Sequence, residues 1–527
     1  MDDIQIKVDQ IFAKFDHTVT PGCALAVIKD GETIYKRGYG MANLEYGVPI
    51  SPATIFHIAS ISKHFAALAV TLLAHEGRLS LDDEVRKYVP ELPDFGEKIT
   101  IRHLIYHTSG LRDQWELLIT AGWRMDDVIT MDDILELVSN QKELNFKPGD
   151  EHIYCNTGYT LLSFIVQRVT EKSMREFCEE RLFSPLGMKS THFHDDHRML
   201  VPNRSYSYAP LEYNRYQNAQ LSYANVGATS LFTTVEDMAA WDSEFYEGKV
   251  FGKALIDEMH TLGELNSGEK LEYAYGLHIA AYRGLRIVEH GGADAGYRTH
   301  MLRFPDQRFS VIVFSNLSNS APSTLAYQVA DLYLADQFTE PLVQEQVVEL
   351  SQEEWGQYAG LYYSAKNQSV YQLEMREGKL VVAMGPGLEL EALSDQRLRV
   401  KEYPMMKIDL SSFDEDGVRL LQARAGYGKP DVYRQVEPAS PGKEELETLA
   451  GTYFCPELDV KYTLHLQDDA LHLKRRKYGS LPLGPAIKDD FTYMDMAYLH
   501  FTRNEKGEVD GFKMSSGRVK NLRFVKA

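Results

Sequence analysis

Ser60 and Lys63 open a segment whose residue spacing predicts a helix. Beyond them the apolar residues recur three and four positions apart, at Phe65, Leu68, Ala69, Leu72 and Leu73, and Gly77 marks the expected end. Residues three apart lie on the same side of a helix, so the Lys63 amine can reach the Ser60 hydroxyl. A serine with an amine base beside it, at a helix end with unpaired backbone N–H groups, suits nucleophilic attack on a carbonyl.

The spacing itself is common in this chain. The same Ser-x-x-Lys pattern occurs at Ser139/Lys142, Ser267/Lys270 and Ser440/Lys443. An ordinary N-cap serine with a solvated lysine is therefore the alternative for Ser60 taken alone. The apolar helix that follows Ser60 and the motifs further along the chain favour the chemical interpretation.

A second pattern, Tyr154-Cys155-Asn156, follows a Lys-Pro-Gly turn and leads into a helix-like apolar stretch. It puts a phenol and an amide together where a proton relay and a hydrogen-bonding group are needed. The same Tyr-x-Asn spacing recurs at Tyr216/Asn218 and Tyr223/Asn225, so context has to distinguish the three copies.

A third pattern, His290-Gly291-Gly292, is predicted at the mouth of a strand. Glycines there let a ligand backbone approach closely, and the imidazole can donate a hydrogen bond. The alternative is a plain hairpin turn with a surface histidine.

The elements that must position these motifs form a predicted antiparallel sheet with helices. Residues 23–29, Asp30-Gly31 and residues 33–37 form a predicted hairpin, and the chain from Ser60 to Trp241 is mostly helical. Predicted strands at 275–282, 285–289, 297–304 and 309–314 are separated by short turns, one of them His290-Gly291-Gly292, and a helix over about 322–336 covers the sheet. We therefore predict an α/β (α+β) domain over residues 1–337.

An internal repeat follows that domain. Tyr358-Ala359-Gly360-Leu361-Tyr362 matches Leu449-Ala450-Gly451-Thr452-Tyr453, and at the same offset Tyr371, Leu373 and Leu380 match Tyr462, Leu464 and Leu471. Both copies are rich in short strands and turns. We predict two small antiparallel β-barrel domains, over residues 350–437 and 444–527.

Composition limits the partners. The formal net charge of −20 argues against nucleic acid and anionic membrane, because both attract clustered Lys and Arg. The four cysteines lack disulfide or metal spacing and the N-terminus is acidic, so we expect free thiols in a cytoplasmic protein. Residues 191–197 contain three histidines but are interpreted as a polar surface loop; no metal and no cofactor are predicted. The oligomeric state is left open.

Taken together and in this order, the three motifs resemble those of the serine penicillin-recognising enzymes: penicillin-binding proteins, class C β-lactamases and D-aminopeptidases. Further stretches of similarity are 104–111, 185–188 and 227–231, and the resemblance covers roughly residues 21–335. It implies a β-lactamase/transpeptidase-like fold and chemistry through an acyl-serine.

The resemblance also implies roles. Ser60 is the nucleophile, Lys63 the base, Tyr154 a proton relay and Asn156 a partner of the substrate amide. The third motif, His290, Gly291 and Gly292, binds substrate, and backbone N–H groups of Ser60 and of the next residue, Ala293, form the oxyanion hole.

Histidine in place of the lysine of β-lactamases makes recognition of a substrate carboxylate weaker and pH-dependent. Histidine-glycine here and two barrels after the catalytic domain are features that D-aminopeptidases share.

The resemblance thus implies a D-aminopeptidase-like peptidase or amidase acting on small peptides or amides. An aminopeptidase must recognise a free ammonium, for which Asp294 and Glu289 are candidates. Two alternatives stay open: an esterase or β-lactamase-related hydrolase with the same machinery, and a non-catalytic penicillin-recognising scaffold or sensor.

Overall fold

The computed structural model describes residues 3–213, 215–342, 345–384, 387–394, 397–401, 406–425, 429–475, 479–494 and 497–527. The chain forms two compact units. The first, which we call the sheet unit, comprises Met1–Gln114, Met125–Ser139 and Phe146–Leu342. The second, the barrel unit, comprises Trp115–Arg124, Asn140–Asn145 and Val343–Ala527. Two short segments from between the first and second motifs therefore belong to the barrel unit.

The helices and strands have the following bounds. The α-helices are α1 (Asp3–Phe12), α2 (Ser62–His75), α3 (Ile101–Ile105), α4 (Gln114–Thr120), α5 (Met131–Ser139), α6 (Asn156–Thr170), α7 (Met174–Cys178), α8 (Ser184–Leu186), α9 (Val235–Glu247), α10 (Lys253–Glu258), α11 (Pro322–Tyr333), α12 (Gln352–Gly356) and α13 (Lys443–Leu449). The strands up to residue 315 are β1 (Cys23–Lys29), β2 (Glu32–Tyr39), β3 (Met41–Asn43), β4 (Val48–Pro49), β5 (Phe56–His57), β6 (Ile129–Thr130), β7 (His192–Phe193), β8 (Tyr208–Pro210), β9 (Tyr216–Asn218), β10 (Tyr223–Ala224), β11 (Leu231–Thr233), β12 (His278–Tyr282), β13 (Leu285–Asp294), β14 (Tyr297–Phe304) and β15 (Phe309–Ser315).

The later strands are β16 (Val347–Val348), β17 (Gly360–Ser364), β18 (Ser369–Arg376), β19 (Lys379–Val382), β20 (Leu388–Leu393), β21 (Arg397–Val400), β22 (Met406–Phe413), β23 (Arg419–Ala425), β24 (Asp431–Val436), β25 (Gly451–Cys455), β26 (Val460–Gln467), β27 (Ala470–Arg475), β28 (Gly479–Pro485), β29 (Asp490–Tyr493), β30 (Ala497–Arg503), β31 (Val509–Ser516) and β32 (Val519–Lys526). Within the described residues, no helix is long and apolar enough to cross a membrane.

The sheet unit is built on an antiparallel sheet with the strand order β12-β13-β14-β15-β1-β2. The predicted hairpin is confirmed: β1 and β2 are joined by Asp30 and Gly31, whose φ angles are 53° and 84°. Positive φ at both positions matches the right-handed twist of a two-residue hairpin. The predicted antiparallel sheet is thereby confirmed.

Strand β1 is a continuous apolar run because both faces of the sheet are covered. On one face Leu25 and Val27 pack with Phe12 of α1 and Val329 of α11 in one hydrophobic cluster. On the other face α9 packs against β1 and β15, and the turn containing Ser60 packs against β13 and β14. The helix predicted near residues 322–336 is confirmed as α11.

One sequence prediction in this sheet is wrong. His290-Gly291-Gly292 is not a turn between strands, because β13 continues through it to Asp294 and pairs with β14 along the whole length. The hairpin turn comes later, where Ala295 has a φ of 43°. Glycine favours turns by propensity, but inside a strand it marks the close approach of another backbone, which is its role here.

The region from α2 to α9 contains the predicted helices, but the prediction that it is mostly helical is wrong: between α8 and α9 the described residues form the short strands β7 to β11 and loops, which the periodicity did not reveal. One of them, β11, pairs with β5 immediately before Ser60 and with β7 on its other side. This small three-stranded sheet anchors the segment that leads into the Ser60 turn.

The barrel unit contains two eight-stranded barrels, which confirms the predicted architecture. Strands β25 to β32 close into one barrel. Strands β17 to β24 form the other, closed by pairing of β20 with β21, and β16 adds to β20 outside the ring.

The internal repeat is visible in the structure. Strands β17 and β25 begin at Gly360 and Gly451, with φ angles of 151° and 150°. The Tyr362 hydroxyl donates to the carbonyl of Tyr358 at 2.9 Å, and the Tyr453 hydroxyl donates to that of Leu449 at 2.7 Å. Each copy therefore starts with a short helix tied to its first strand by the same tyrosine.

At matching positions of the repeat, the core side chains of the two barrels differ in size. Leu410 and Leu421 are buried in the first barrel, where the second has Phe501 and Phe512. Phe512 stacks on Phe524 with the ring centroids 4.6 Å apart. The second barrel is thus filled with aromatic rings where the first has aliphatic side chains.

Candidate active site

Ser60 lies in a 3₁₀ turn, Ala59–Ile61, directly before α2. Ala59 has a φ of 48°, a left-handed conformation that costs a non-glycine residue about 1–3 kcal/mol. Two hydrogen bonds hold it: the Ala59 N–H donates to His57 Nδ1 at 3.1 Å, and its carbonyl accepts from Ser62 Oγ at 2.5 Å. The strained residue fixes the direction in which Ser60 leaves the turn.

Strand β13 and its neighbour β14 support this turn from below. The Thr299 hydroxyl donates to the Ile58 carbonyl at 2.9 Å. A Cβ atom on Gly292 would lie 2.4 Å from the Ile58 carbonyl oxygen and 3.1 Å from Ala59 Cβ. The second glycine of the third motif is therefore required because the turn that contains Ser60 lies directly on it.

Lys63 is fully buried, and its Nζ atom is surrounded by oxygens. It lies 3.1 Å from Ser60 Oγ, 2.8 Å from Asn156 Oδ1 and 2.7 Å from the Ala228 carbonyl oxygen. Amide and peptide carbonyls only accept hydrogen bonds, so each of the last two takes one N–H of Lys63. When Lys63 is the neutral amine, its lone pair is then directed away from both carbonyls and towards Ser60 Oγ, whose hydroxyl can donate to it.

The first turn of α6 carries Asn156, which is its first residue. Both its backbone N–H and its side-chain Nδ2 donate to Asp113 Oδ2, at 2.6 and 2.9 Å. Asp113 is fully buried. The sequence does not indicate its role, since an aspartate in a loop carries no pattern that links it to a helix 43 residues further on.

Tyr154 lies between the other motif residues. Its ring centroid is 4.8 Å from Lys63 Nζ and 6.2 Å from the His290 ring. On its other side lies the ring of His107, 4.3 Å away. The structure thus brings together Ser60, Lys63, Tyr154, Asn156 and His290, the residues that the three motifs supplied.

Neutral histidines and a tyrosine form a hydrogen-bonded chain beside Tyr154. The Cys155 N–H donates to His107 Nδ1 at 2.9 Å, a shorter contact than the 3.1 Å between Nδ1 and the Cys155 carbonyl, so we assign the proton of this imidazole to Nε2, 3.1 Å from the Tyr273 hydroxyl. That hydroxyl lies 3.3 Å from His290 Nε2, and His290 Nδ1 lies 2.6 Å from the Gly291 carbonyl. Because a carbonyl only accepts, His290 carries its proton on Nδ1 and accepts from Tyr273.

Burial lowers the pKa of both His107 and His290 well below the ordinary value. Neighbouring basic groups, whose protonated forms would repel a second positive charge, add to the effect: His152 and Lys63 for His107, and His278, His64 and Lys63 for His290. The third motif is therefore uncharged at neutral pH, and both ring nitrogens of His290 already have partners. Tyr273 and His107 were not identified from the sequence as members of this site.

The Ala228 carbonyl reaches Lys63 because the preceding glycine lets the chain approach α6. Gly227 has a φ of 96°, and a Cβ atom there would lie 2.4 Å from the Tyr159 carbonyl oxygen. The stretch 227–231 had been noted for its resemblance, but no sequence signal assigns a function to a main-chain oxygen.

The two acidic candidates for amine recognition lie on opposite faces of β13. Glu289 is buried and accepts from His300 Nε2 at 2.9 Å and from the Tyr327 hydroxyl at 2.8 Å, on the side covered by α11. Asp294 shares the face of His290 and Gly292, and its side chain is 16% exposed. The hydroxyl of Thr229, next to Ala228, donates to it.

The fold and the site define a serine acyl-transfer enzyme. A family model described as Beta-lactamase matches residues 8–335, and the chain belongs to this family. The predicted resemblance and the predicted class of β-lactamase-related serine hydrolase are thus confirmed.

Individual relatives agree with this assignment. The D-aminopeptidase of Gluconobacter oxydans (strain 621H) is 27% identical over 441 residues, which cover 83% of this chain and 80% of the relative. Penicillin-binding protein 4* of Bacillus subtilis (strain 168) is 30% identical over 312 residues, 56% of this chain and 68% of the relative. The octameric penicillin-binding protein homologue from Pyrococcus abyssi has a similar structure, with a TM-score of 0.58 and 22% identity over 91% of this chain and 100% of that one.

Proposed function

We propose that this serine hydrolase is a D-aminopeptidase-like peptidase or amidase, which releases N-terminal D-residues from small peptides or amides through an acyl-enzyme on Ser60. The observation that carries the chemistry is the position of Lys63, buried within 3.1 Å of Ser60 Oγ and bound to two fixed acceptors. The D-aminopeptidase relative is similar to this chain over 441 residues, a longer stretch than the family region alone, and it supports the substrate class.

In the first half of the reaction, Lys63 takes the hydroxyl proton as Ser60 Oγ bonds to the carbonyl carbon. The negative oxygen that forms is stabilised by the backbone N–H groups of Ser60 and Ala293. The carbon–nitrogen bond then breaks, and the proton reaches the departing amine by way of Tyr154.

In the second half, water adds to the ester carbon and releases the acid. Tyr154, as a phenolate or through Lys63, accepts the proton of that water, and Ser60 Oγ leaves with a proton. Asn156 holds the substrate amide, and the strand edge at residues 290–293 aligns the acyl group.

Asp294 is our candidate for the residue that binds the substrate ammonium. It lies on the same face of β13 as His290, directly after Ala293, and it is partly exposed. Glu289 has two hydrogen-bonding partners on the opposite face and does not compete for this role. An anion here attracts an amine and repels the carboxylate that penicillins and C-terminal peptides carry.

The neutral third motif points in the same direction. His290 supplies no permanent cation, and its nitrogens are paired with Tyr273 and Gly291. We therefore expect weak activity, or none, on β-lactams.

The test is a substrate screen with Ser60→Ala as the blank. D-alanyl p-nitroanilide, its L-enantiomer, a short acyl p-nitrophenyl ester and a β-lactam are compared by kcat/KM. Preference for the D-aminoacyl amide supports the proposal, whereas activity confined to the neutral ester favours the esterase. No turnover, together with no covalent labelling of Ser60 by a fluorophosphonate, favours the non-catalytic scaffold.

We also propose that the protein is cytoplasmic. Cys23, Cys155, Cys178 and Cys455 are buried free thiols, which suits the cytoplasm. Small peptides and amides remain the proposed partners.

A further inference from the structure

The amide of Asn156 lies between the buried carboxylate of Asp113 and Lys63, the residue that contacts Ser60. Its Oδ2 accepts from the Nδ2 of Asn156, and the Oδ1 of the same amide accepts from Lys63 Nζ. An ionised carboxylate only accepts hydrogen bonds, whereas an amide has one end that donates and one that accepts. The amide of Asn156 therefore has a single orientation that satisfies both neighbours.

We propose that Asp113 is a positioning residue for catalysis, which sets the Asn156 amide so that its oxygen faces Lys63. With the amide reversed, an NH₂ group would point at the lysine and compete for the lone pair that must face Ser60. Asp113 thus helps to direct the lone pair of Lys63 towards Ser60. Its negative charge, two hydrogen bonds from Lys63, also balances the charge of the ammonium form.

A purely structural role is the alternative that the test must exclude. The residues around Asp113 are joined to the start of α6 by successive contacts: the Cys155 thiol with the Leu111 carbonyl at 3.3 Å, and the Thr157 hydroxyl with the Arg112 carbonyl at 2.8 Å. Asp113 also accepts the first backbone N–H of α6, as an N-cap would. Thr157 therefore offers a matched control, because it lies in the same set of contacts but has no path to Lys63.

Lys63 is also faced by Tyr154 and Tyr159, with ring centroids 4.8 and 5.6 Å from Nζ, and by the imidazoles of His107 and His290. None of these four supplies a carboxylate. Removing the charge of Asp113 takes away an anion that favours the ammonium form, so the neutral amine should persist to lower pH.

The experiment measures the rate at which a fluorophosphonate labels Ser60 in the full chain between pH 5 and 9. For Asp113→Asn we expect labelling on the order of 100-fold slower, because either end of the new amide can face Asn156. We also expect the acid limb of the pH profile to move to lower pH. Thr157→Val should slow labelling less than about threefold and leave the limb in place, because it removes a structural bond only.

Asp113→Ser is the second variant, since serine keeps an N-cap acceptor without the charge. Equal slowing in the Asp113 and Thr157 variants, in proportion to their loss of thermal stability, would overturn the proposal. An acid limb that stays in place in the Asp113 variants would overturn it as well.

The proposal rests on Ser60 as the nucleophile but not on D-aminoacyl specificity. A wild-type protein that labels but ignores D-aminoacyl amides refutes only the proposed substrate, and one that does not label refutes both.

Discussion

The two barrels are copies of one unit that have kept one set of contacts and changed another. Both begin with a helix, α12 or α13, and in both the first tyrosine of the barrel, Tyr362 or Tyr453, donates to a carbonyl at the end of that helix or just after it. These tyrosines are fully buried. The retained contact is the one that fixes the first strand against its helix.

The copies differ at the surface that meets residues 115–124. In the second barrel the hydroxyl of Tyr462 donates to the Thr120 carbonyl and the guanidinium of Arg475 to that of Ile119. In the first barrel the corresponding Tyr371 packs edge-on against Tyr433, and the repeat spacing puts Met384 where the second has Arg475. The N–H groups of Ala121, Trp123 and Gly122 bond to the carbonyls of Leu117, Leu118 and Ile119. The second barrel adds a side-chain donor to the Ile119 carbonyl and another to that of Thr120, and so reinforces the C-terminal cap of α4.

Residues 140–145 belong to the same arrangement. Asn145 Nδ2 donates to the Arg518 carbonyl at 2.8 Å, and its Oδ1 accepts from the Lys520 N–H at 2.7 Å. The Lys142 N–H donates to Glu457 Oε2 at 2.8 Å. The residues that the two copies share therefore determine how each barrel folds. The residues that differ between the copies determine which other segments bind to the second barrel.

The largest predicted effect is that acid should destabilise the sheet unit much more than either barrel. Burial lowers the pKa of His57 and His64 to about 3 and of His152 and His278 to about 4. The unfolded chain takes up these protons near pH 6.5, so stability is lost as the pH falls from about 6.5 towards the folded values, by ~1.4 kcal/mol per pH unit for each histidine.

The barrels contain few groups of this kind. Residues 345–437 have no histidine, and His465, His472 and His500 of the second barrel are at least partly exposed. Hydrogen exchange at pH 7 and pH 5 should show the sheet unit losing protection first and both barrels keeping theirs alike. Earlier loss in either barrel would contradict the comparison.

Replacing the shared tyrosine should cost the two barrels the same amount. Tyr362→Ala and Tyr453→Ala each remove a fully buried ring and its hydroxyl bond, for an expected loss of about 3–5 kcal/mol. Hydrogen exchange of β17 and β25 measures each effect separately. A large loss in one copy and a small loss in the other would show that the retained contact has different roles.

Arg475→Met gives the second barrel the residue that the repeat places in the first. It removes a charged donor to the Ile119 carbonyl, so the protection of residues 115–124 should fall by about 1.5–3 kcal/mol. Trp115 and Trp123 lie in this segment and report its release by fluorescence. Lys474→Met, on the exposed neighbouring residue, is the control, and an equal response in both variants would reject the capping role.

The smallest predicted effect comes from removing the hydroxyl of Tyr462 or that of Tyr371, its match in the first barrel. Tyr462→Phe removes the donor to the Thr120 carbonyl and should destabilise residues 115–124 by about 1 kcal/mol. Tyr371→Phe keeps the ring that packs on Tyr433 and should have less effect on its own barrel. The test compares the midpoints of urea unfolding of the two variants, followed at each barrel. Equal midpoints would show that the hydroxyl of Tyr462 is dispensable.

Local patterns in the sequence predicted the parts of the molecule that depend on local structure. Strand alternation, the Asp30-Gly31 turn and the repeat predicted the sheet and the barrels, and the motifs around Ser60, Tyr154 and His290 converge in the structure. The prediction failed at Gly291 and Gly292, where turn propensity was overruled by the pairing of β13 with β14.

The remaining members of the site depend on contacts between distant segments. Asp113, Tyr273 and the Ala228 carbonyl acquire their roles only once α6, the third motif and the loop before β11 meet. The grouping of residues 115–124 with the second barrel also depends on hydrogen bonds to main-chain carbonyls, and no pattern of side chains in the sequence predicts such bonds.

The unequal filling of the two barrel cores has a consequence for folding. Two copies in one chain expose every strand to a competitor that could take its place, a common cause of misassembly in repeat proteins. A hybrid barrel that mixed strands of both copies would put Leu410 or Leu421 where Phe501 or Phe512 is needed, and would contain voids or clashes. The divergence of these core residues therefore lets each half of the duplication recognise its own strands.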